Sequence, residues 1–226
     1  MPISNYPSGF TGGVAIRGLP LLNSYGGNVF WVDSGSSSNQ NPGSHIQPFA
    51  TMEKATSKCT ASNGDIVMVK AGHEETFSAA ASSSVGWEAD KAGVTYVGLG
   101  TGDDRPTFIL DTATATDINI SGSGTTIHNM IFEAAFADVA KMIHLTTDYV
   151  TIDNCFFREQ AASENWVVLI DADGTTNEEC SHFHFTNNVV IGADTANTDM
   201  IQFAADTTGV IVADNYIELG VGTGNI

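Results

Sequence analysis

Four stretches of this chain share one pattern: Ile127-His128-Asn129-Met130-Ile131-Phe132, Ile152-Asp153-Asn154-Cys155-Phe156-Phe157, Phe185-Thr186-Asn187-Asn188-Val189-Val190 and Val212-Ala213-Asp214-Asn215-Tyr216-Ile217. Each reads apolar, any, Asn or Asp, any, apolar, apolar. The third positions are separated by 25, 33 and 27 residues. A second pattern precedes three of them: Met142-Ile143-His144-Leu145 through Asp148, Val167-Val168-Leu169-Ile170 through Asp173, and Met200-Ile201-Gln202-Phe203 through Asp206. Aligned on Met142, Val167 and Met200, its intervals are 25 and 33. Two short apolar segments advancing together, with length changes confined to the connections, predict a solenoid whose coils each contribute strands to parallel sheets. A β-sandwich would need antiparallel hairpins with tight turns and gives no reason for paired segments to recur at matched intervals.

The residues upstream extend this reading. Val94-Thr95-Tyr96-Val97 and Ile118-Asn119-Ile120 supply earlier rungs, for roughly six coils in all. The segment from Pro48 to Cys59 sets Phe49, Met52, Ala55 and Cys59 at helical spacing with Thr51 as cap, predicting one helix. It leads into the strand Ile66-Val67-Met68-Val69 and a Gly72 turn, so the helix would cover the first rung and protect its open edge. Val29 to Asp33 reads as another strand. Residues 1–29 hold Pro2, Pro7, Pro20 and six glycines, which exclude a helix, yet also Tyr6, Phe10, Val14, Ile16, Leu19, Leu21 and Leu22. The expected organisation is an extended N-terminal arm over 1–29 and an all-β, right-handed parallel β-helix over 30–226.

Composition narrows the function. The chain has 226 residues and a formal net charge of −18, from 26 acids against 8 bases, and no Lys or Arg follows Arg158. Clustered cations for phosphate are missing, so nucleic acid is not an expected partner. No apolar run approaches the length of a membrane span, and the N-terminus lacks a basic and apolar leader, so production in a cytoplasm is expected. Cys59, Cys155 and Cys180 lie far apart among apolar or small neighbours, which predicts buried free thiols and no zinc framework.

Catalytic readings find little support. A polysaccharide lyase needs a carboxylate cluster with a nearby cationic base. Arg105 and Lys141 are the candidates, and nothing in their sequence neighbourhoods pairs them with stacked acids. Asp148, Asp173 and Asp206, if stacked on neighbouring coils about 4.8 Å apart, could supply the two carboxylates of a glycosidase. Their simpler role is to cap turns. Asn129, Asn154 and Asn187 would form a ladder serving the backbone at a bend. His182 and His184 alternate and would share an outer face, with no third ligand in view. Asp171-Ala172-Asp173-Gly174 begins like a calcium loop but lacks the later ligands. No catalytic residue, metal or cofactor is therefore expected.

Pro48-Phe49-Ala50-Thr51-Met52, Asn63-Gly64-Asp65-Ile66-Val67-Met68-Val69 and Ala71-Gly72-His73 resemble the opening of pectin-lyase-like β-helix proteins. Met1 to Pro7, Gly18-Leu19-Pro20-Leu21 and Val29-Phe30-Trp31-Val32 are similar to bacteriophage-encoded β-helix proteins of the tailspike-related type. That resemblance implies a virion protein, a homotrimer, and either a capsid decoration role or the binding or cutting of polysaccharide. The expectation is a non-enzymatic capsid decoration or cement protein on the virion. Its arm would grip the major capsid protein, or another virion protein, through Tyr6, Phe10, Ile16, Arg17 and Leu19. The end of the chain soon after the last coil also fits a short surface plug better than a spike.

Overall fold

The computed structural model describes residues 14–16, 19–21, 26–36, 38–77, 86–111, 118–161, 163–173, 180–193, 199–204 and 206–220. Its strands are β1 (Val14–Ile16), β2 (Leu19–Leu21), β3 (Val29–Val32), β4 (Ile66–Val69), β5 (Glu74–Phe77), β6 (Trp87–Ala89), β7 (Thr95–Gly98), β8 (Thr107–Leu110), β9 (Ile118–Ile120) and β10 (Thr126–His128). They continue with β11 (Ile131–Ala134), β12 (Val139–Leu145), β13 (Thr151–Asp153), β14 (Phe156–Glu159), β15 (Trp166–Ala172), β16 (His184–Thr186), β17 (Val189–Gly192), β18 (Asp199–Phe203), β19 (Ile211–Ala213) and β20 (Tyr216–Leu219). The expected helix is present as α1 (Met52–Thr56), with the Thr51 side chain accepting the Lys54 amide at 3.3 Å. Helices shorter than the apolar spacing suggested are usual where a buried face, not propensity, holds them.

Three parallel sheets form the walls of a right-handed parallel β-helix. The first holds β3, β4, β7, β10, β13, β16 and β19, the second β5, β8, β11, β14, β17 and β20, and the third β6, β9, β12, β15 and β18. Their seven, six and five strands bracket the roughly six rungs expected. In the first sheet Ile127 pairs with Ile152, Ile152 with Phe185 and Phe185 with Val212, the intervals read from the first pattern. The second pattern is displaced. Ile143 pairs with Ile170, and Ile170 with Ile201, which moves the expected alignment of β12 and β15 by two residues. A two-residue slip leaves every side chain on the same face, so apolar alternation could not reveal it.

Stacking puts like residues over like. Inward-facing Phe108, Phe132 and Phe157 are in register on the second sheet, with successive ring centroids 5.7 and 5.0 Å apart and planes within 27° and 19°. Trp87, Ile118, Ile143 and Ile170 do the same on the third. Between the first and second sheets the chain turns through one left-handed residue: Asn129, Asn154, Asn187 and Asp214 have φ of 60°, 54°, 56° and 57°. Asn and Asp tolerate that conformation best after glycine, which explains the third position of the pattern. Asn129 Nδ2 also donates to the Gly98 and Gly100 carbonyls, and Asn154 Nδ2 to Asn129 Oδ1. The expected ladder is thus present in part: Asn129 serves the backbone and Asn154 stacks on it, whereas Asn187 Nδ2 donates to Asp153 Oδ1 instead. A second one, unforeseen, points inward at the fourth position. Buried Asn188 accepts the Cys155 amide on Oδ1, and Asn215 accepts the Asn188 amide, at 2.8 Å each.

All three cysteines are free and buried, and burial raises their thiols to about 12 for Cys59 and Cys155 and about 11 for Cys180.

The first coil is closed by Asp65. Its buried carboxylate accepts the Asn28 and Thr60 amides at 2.7 and 2.6 Å, and the Asn63 side chain at 2.7 Å. Gly27 beside it is obligatory, because a Cβ there would lie 2.2 Å from the Gly64 carbonyl oxygen. Burial alone would raise the Asp65 pKa, but these donors outweigh it and hold the group below the ordinary value. Replacing Asp65 by Ala strands those donors, and urea unfolding should show a loss of roughly 2 kcal/mol. A loss within error of zero would mean that water replaces the carboxylate. Phe132→Ala, deep in the ring stack, should cost about 3–5 kcal/mol in the same measurement.

Candidate functional site

Outward positions on the third sheet form a polar column. Glu88, Asn119, His144, Asp171 and Gln202 occupy equivalent places on five successive coils. Lys141, three residues before His144 on β12 where the alternation is broken at Met142 and Ile143, donates from Nζ to Asp171 Oδ2 at 2.9 Å. Asp173 follows the last residue of β15. His144, Asp171 and Asp173 each offer a ligand atom, and these atoms lie within 4.8 Å of one another. All three are half-buried. The set of one imidazole and two carboxylates matches the donors that zinc or manganese takes, although the Lys141 ammonium already supplies one positive charge there.

The absence of an acid partner for Lys141, expected from sequence, is corrected here. The pairing of His144 with Asp171 follows from the two-residue shift in register, and the uncorrected alignment would have set His144 against Leu169. The aspartates do not form the column considered above. Asp173 lies one position beyond the Leu145–Ala172 pair, whereas Asp148 Oδ1 accepts the Ser181 amide of the next coil at 2.8 Å. Asp148 therefore secures a turn, and Asp206 is exposed on the last coil.

The other two faces carry their own constellations. On the first sheet His128 Nδ1 lies 2.9 Å from Asp153 Oδ2, and Asp153 Oδ1 accepts both Thr186 Oγ1 and Asn187 Nδ2 at 2.8 Å. On the second sheet Phe156 has the guanidinium carbons of Arg105 and Arg158 each 5.7 Å from its ring centre. Arg158 bridges Glu133 and Asp103, at 2.5 and 3.3 Å, while Arg105 donates to the Gly102 and Asn154 carbonyls. The two histidines expected to share a face differ in setting: His182, left-handed at φ 56°, stacks on Tyr149 with centroids 4.5 Å apart, while His184 lies in β16.

Of the expected arm contacts, Tyr6, Phe10 and Arg17 fall outside the described residues. Ile16 and Leu19 are backbone partners at the closed end of an antiparallel pair, in which β1 and β2 join only each other.

Asp153 gives this surface a pH signature. Burial tends to raise its pKa, but hydrogen bonds from Asn187, Thr186 and His128 prevail and lower it. Such a carboxylate stabilises the fold above its unfolded pKa near 3.9, and the contribution disappears as pH falls through the lower folded value. Asp153→Asn should therefore flatten the stability loss seen below about pH 4 in urea titrations. An unchanged acid limb would show that those bonds do not survive in solution.

No protein-family model matches the chain, and no curated protein matches it. Among solved structures it is similar to a rhamnogalacturonan lyase, with a TM-score of 0.54 and 12% sequence identity. The likeness covers 86% of this chain and 62% of the lyase chain, so the sequence spans less than two thirds of that enzyme's length. At this identity the likeness is one of fold alone: both chains are parallel β-helices.

Proposed function

We propose that the protein is a structural component of a bacteriophage virion, a trimeric decoration or cement protein whose arm holds it on the capsid. The carrying observation is the pairing of β1 with β2 in a two-stranded sheet separate from the three walls of the coil. A lone two-stranded hairpin is at best marginal in water and needs a surface to pack on. On this reading the shell supplies that surface, and burial of the arm's apolar residues against it contributes about 25 cal/mol per Å² before ordering costs. The similarity of residues 1–7, 18–21 and 29–32 to phage β-helix proteins supports the same reading. So does the use of Arg105, Lys141 and Arg158 within the coil, where each is held by carboxylates or carbonyls. Cryo-electron microscopy of assembled particles should show trimers distributed over the shell with arms between capsid subunits. Removal of residues 1–25, which keeps the Gly27 and Asn28 contacts of the first coil, should abolish their attachment. Truncated protein that still coats shells at wild-type occupancy refutes the anchoring role.

A second reading, polysaccharide binding or cleavage, is favoured by the Lys141–His144–Asp171–Asp173 group on an open coil face of a pectin-lyase-like fold. On this reading density appears at the tail, and host-surface polysaccharide is bound or cut. Lys141→Met should then weaken that activity at least tenfold. Equal activity of the variant removes the group from consideration.

A further inference from the structure

Positive charge is scarce in this chain, and its distribution is uneven. Among the seven described basic side chains, Lys70 pairs with Asp33, Lys91 with Asp90, Lys141 with Asp171, and Arg158 with Glu133 and Asp103. Arg105 is spent on two backbone carbonyls. Lys54 and Lys58 have no acidic partner among the described residues. Four residues apart, on α1 and just beyond it, both line one cavity of about 340 Å³ at the helix-capped end of the coil. Its other walls are Phe30, Phe49 and Pro42, with the amides Asn39, Gln40 and Asn41.

These walls are fixed in advance. Asn39 Oδ1 accepts the Ala50 and Thr51 amides at 2.8 and 3.2 Å, and Asn41 Nδ2 donates to Ser36 Oγ and the Pro48 carbonyl at 2.8 and 2.9 Å. Phe49 is tilted 41° to Phe30 at a centroid distance of 6.1 Å, and it lies so close to Gly43 that any side chain there would meet its ring at 2.2 Å. Small-molecule sites are pre-shaped concavities of some 300 Å³ or more that combine apolar walls with polar groups that orient the ligand, and here the polar share of the lining is the larger. In a chain of net charge −18, two uncompensated ammonium groups at such a cavity select for negative charge.

We infer that this cavity is a binding site for a small organic carboxylate. The ligand's carboxylate meets Lys54 and Lys58, and its ring or short apolar body packs on Phe30 and Pro42, over the floor that buried Phe49 closes. The site lies at the capped end of the coil and shares no residue with the Lys141, His144, Asp171 and Asp173 group, and it does not depend on whether the protein decorates a capsid or handles polysaccharide.

The test is a titration of the full chain followed by amide chemical shifts, with three probes: cyclohexanecarboxylate, its neutral analogue cyclohexanemethanol, and inorganic phosphate. Cyclohexanecarboxylate should perturb the amides of Asn41, Phe49, Lys54 and Lys58, with a dissociation constant on the order of 1 mM that weakens as salt is added. The alcohol and phosphate should each bind at least tenfold more weakly, because one lacks the charge and the other the apolar body. The double variant Lys54→Met with Lys58→Met should lose at least tenfold in affinity, and Lys54→Arg with Lys58→Arg should retain it. Both pairs are surface changes whose folding is verified by an unchanged spectrum elsewhere. Absence of saturable shifts up to about 50 mM probe overturns the assignment. Equal binding of the alcohol or of phosphate, or undiminished affinity in the methionine variant, overturns it as well.

Discussion

In-register parallel pairing is the constraint from which everything else follows. Each strand takes its hydrogen bonds from the coil before and gives them to the coil after, about 4.8 Å away, so a residue at a given position lies directly over its counterpart. Inside the coil this turns single apolar residues into continuous columns, such as Phe108, Phe132 and Phe157, which no isolated rung could bury. Outside, it brings together polar groups some 25 to 34 residues apart in sequence, among them Asp153 with His128 and Asn187.

The corners bear the cost of that regularity. A coil that folds back on itself after three or four residues per strand needs backbone outside the right-handed and extended regions. It meets this with left-handed residues at recurrent places, glycine or Asn and Asp at most of them. Tyr149 and His182 are exceptions, left-handed yet bulky, and their stacked rings offset part of the strain. The inward pair Asn188 and Asn215 satisfies amides that the bend removes from the sheets. Loss of these polar groups would be felt in the core, although they read as surface residues by type.

A coil also has two ends, and they differ. At the first, α1, Phe49 and Asp65 close the stack and leave a lysine-lined cavity between helix and loop. At the other, the inward positions of the last coil are open: Val212, over the fully buried Phe185, is 46% exposed, and Phe203, over Ala172, is 36% exposed. This asymmetry is independent of any activity, yet it decides which surfaces of the described coil are finished and which still present apolar groups.

The sequence by itself determined the fold class, the position of the capping helix, the free buried thiols and the asparagine corners. Each is written in local pattern, as alternation, spacing or a residue type that suits one backbone conformation. The spacing of the first pattern even matched the register, because the corner residue marks an absolute position on the coil. The second pattern has no such marker, and sliding it by two residues preserves every inward and outward side chain. Only the tertiary structure therefore decided that His144 faces Asp171, that Lys141 has an acidic partner, and that Asp148 and Asp173 lie apart. The cavity beside Lys54 and Lys58 was likewise illegible, since its walls come from a strand, a loop and a helix that meet only when the first coil closes.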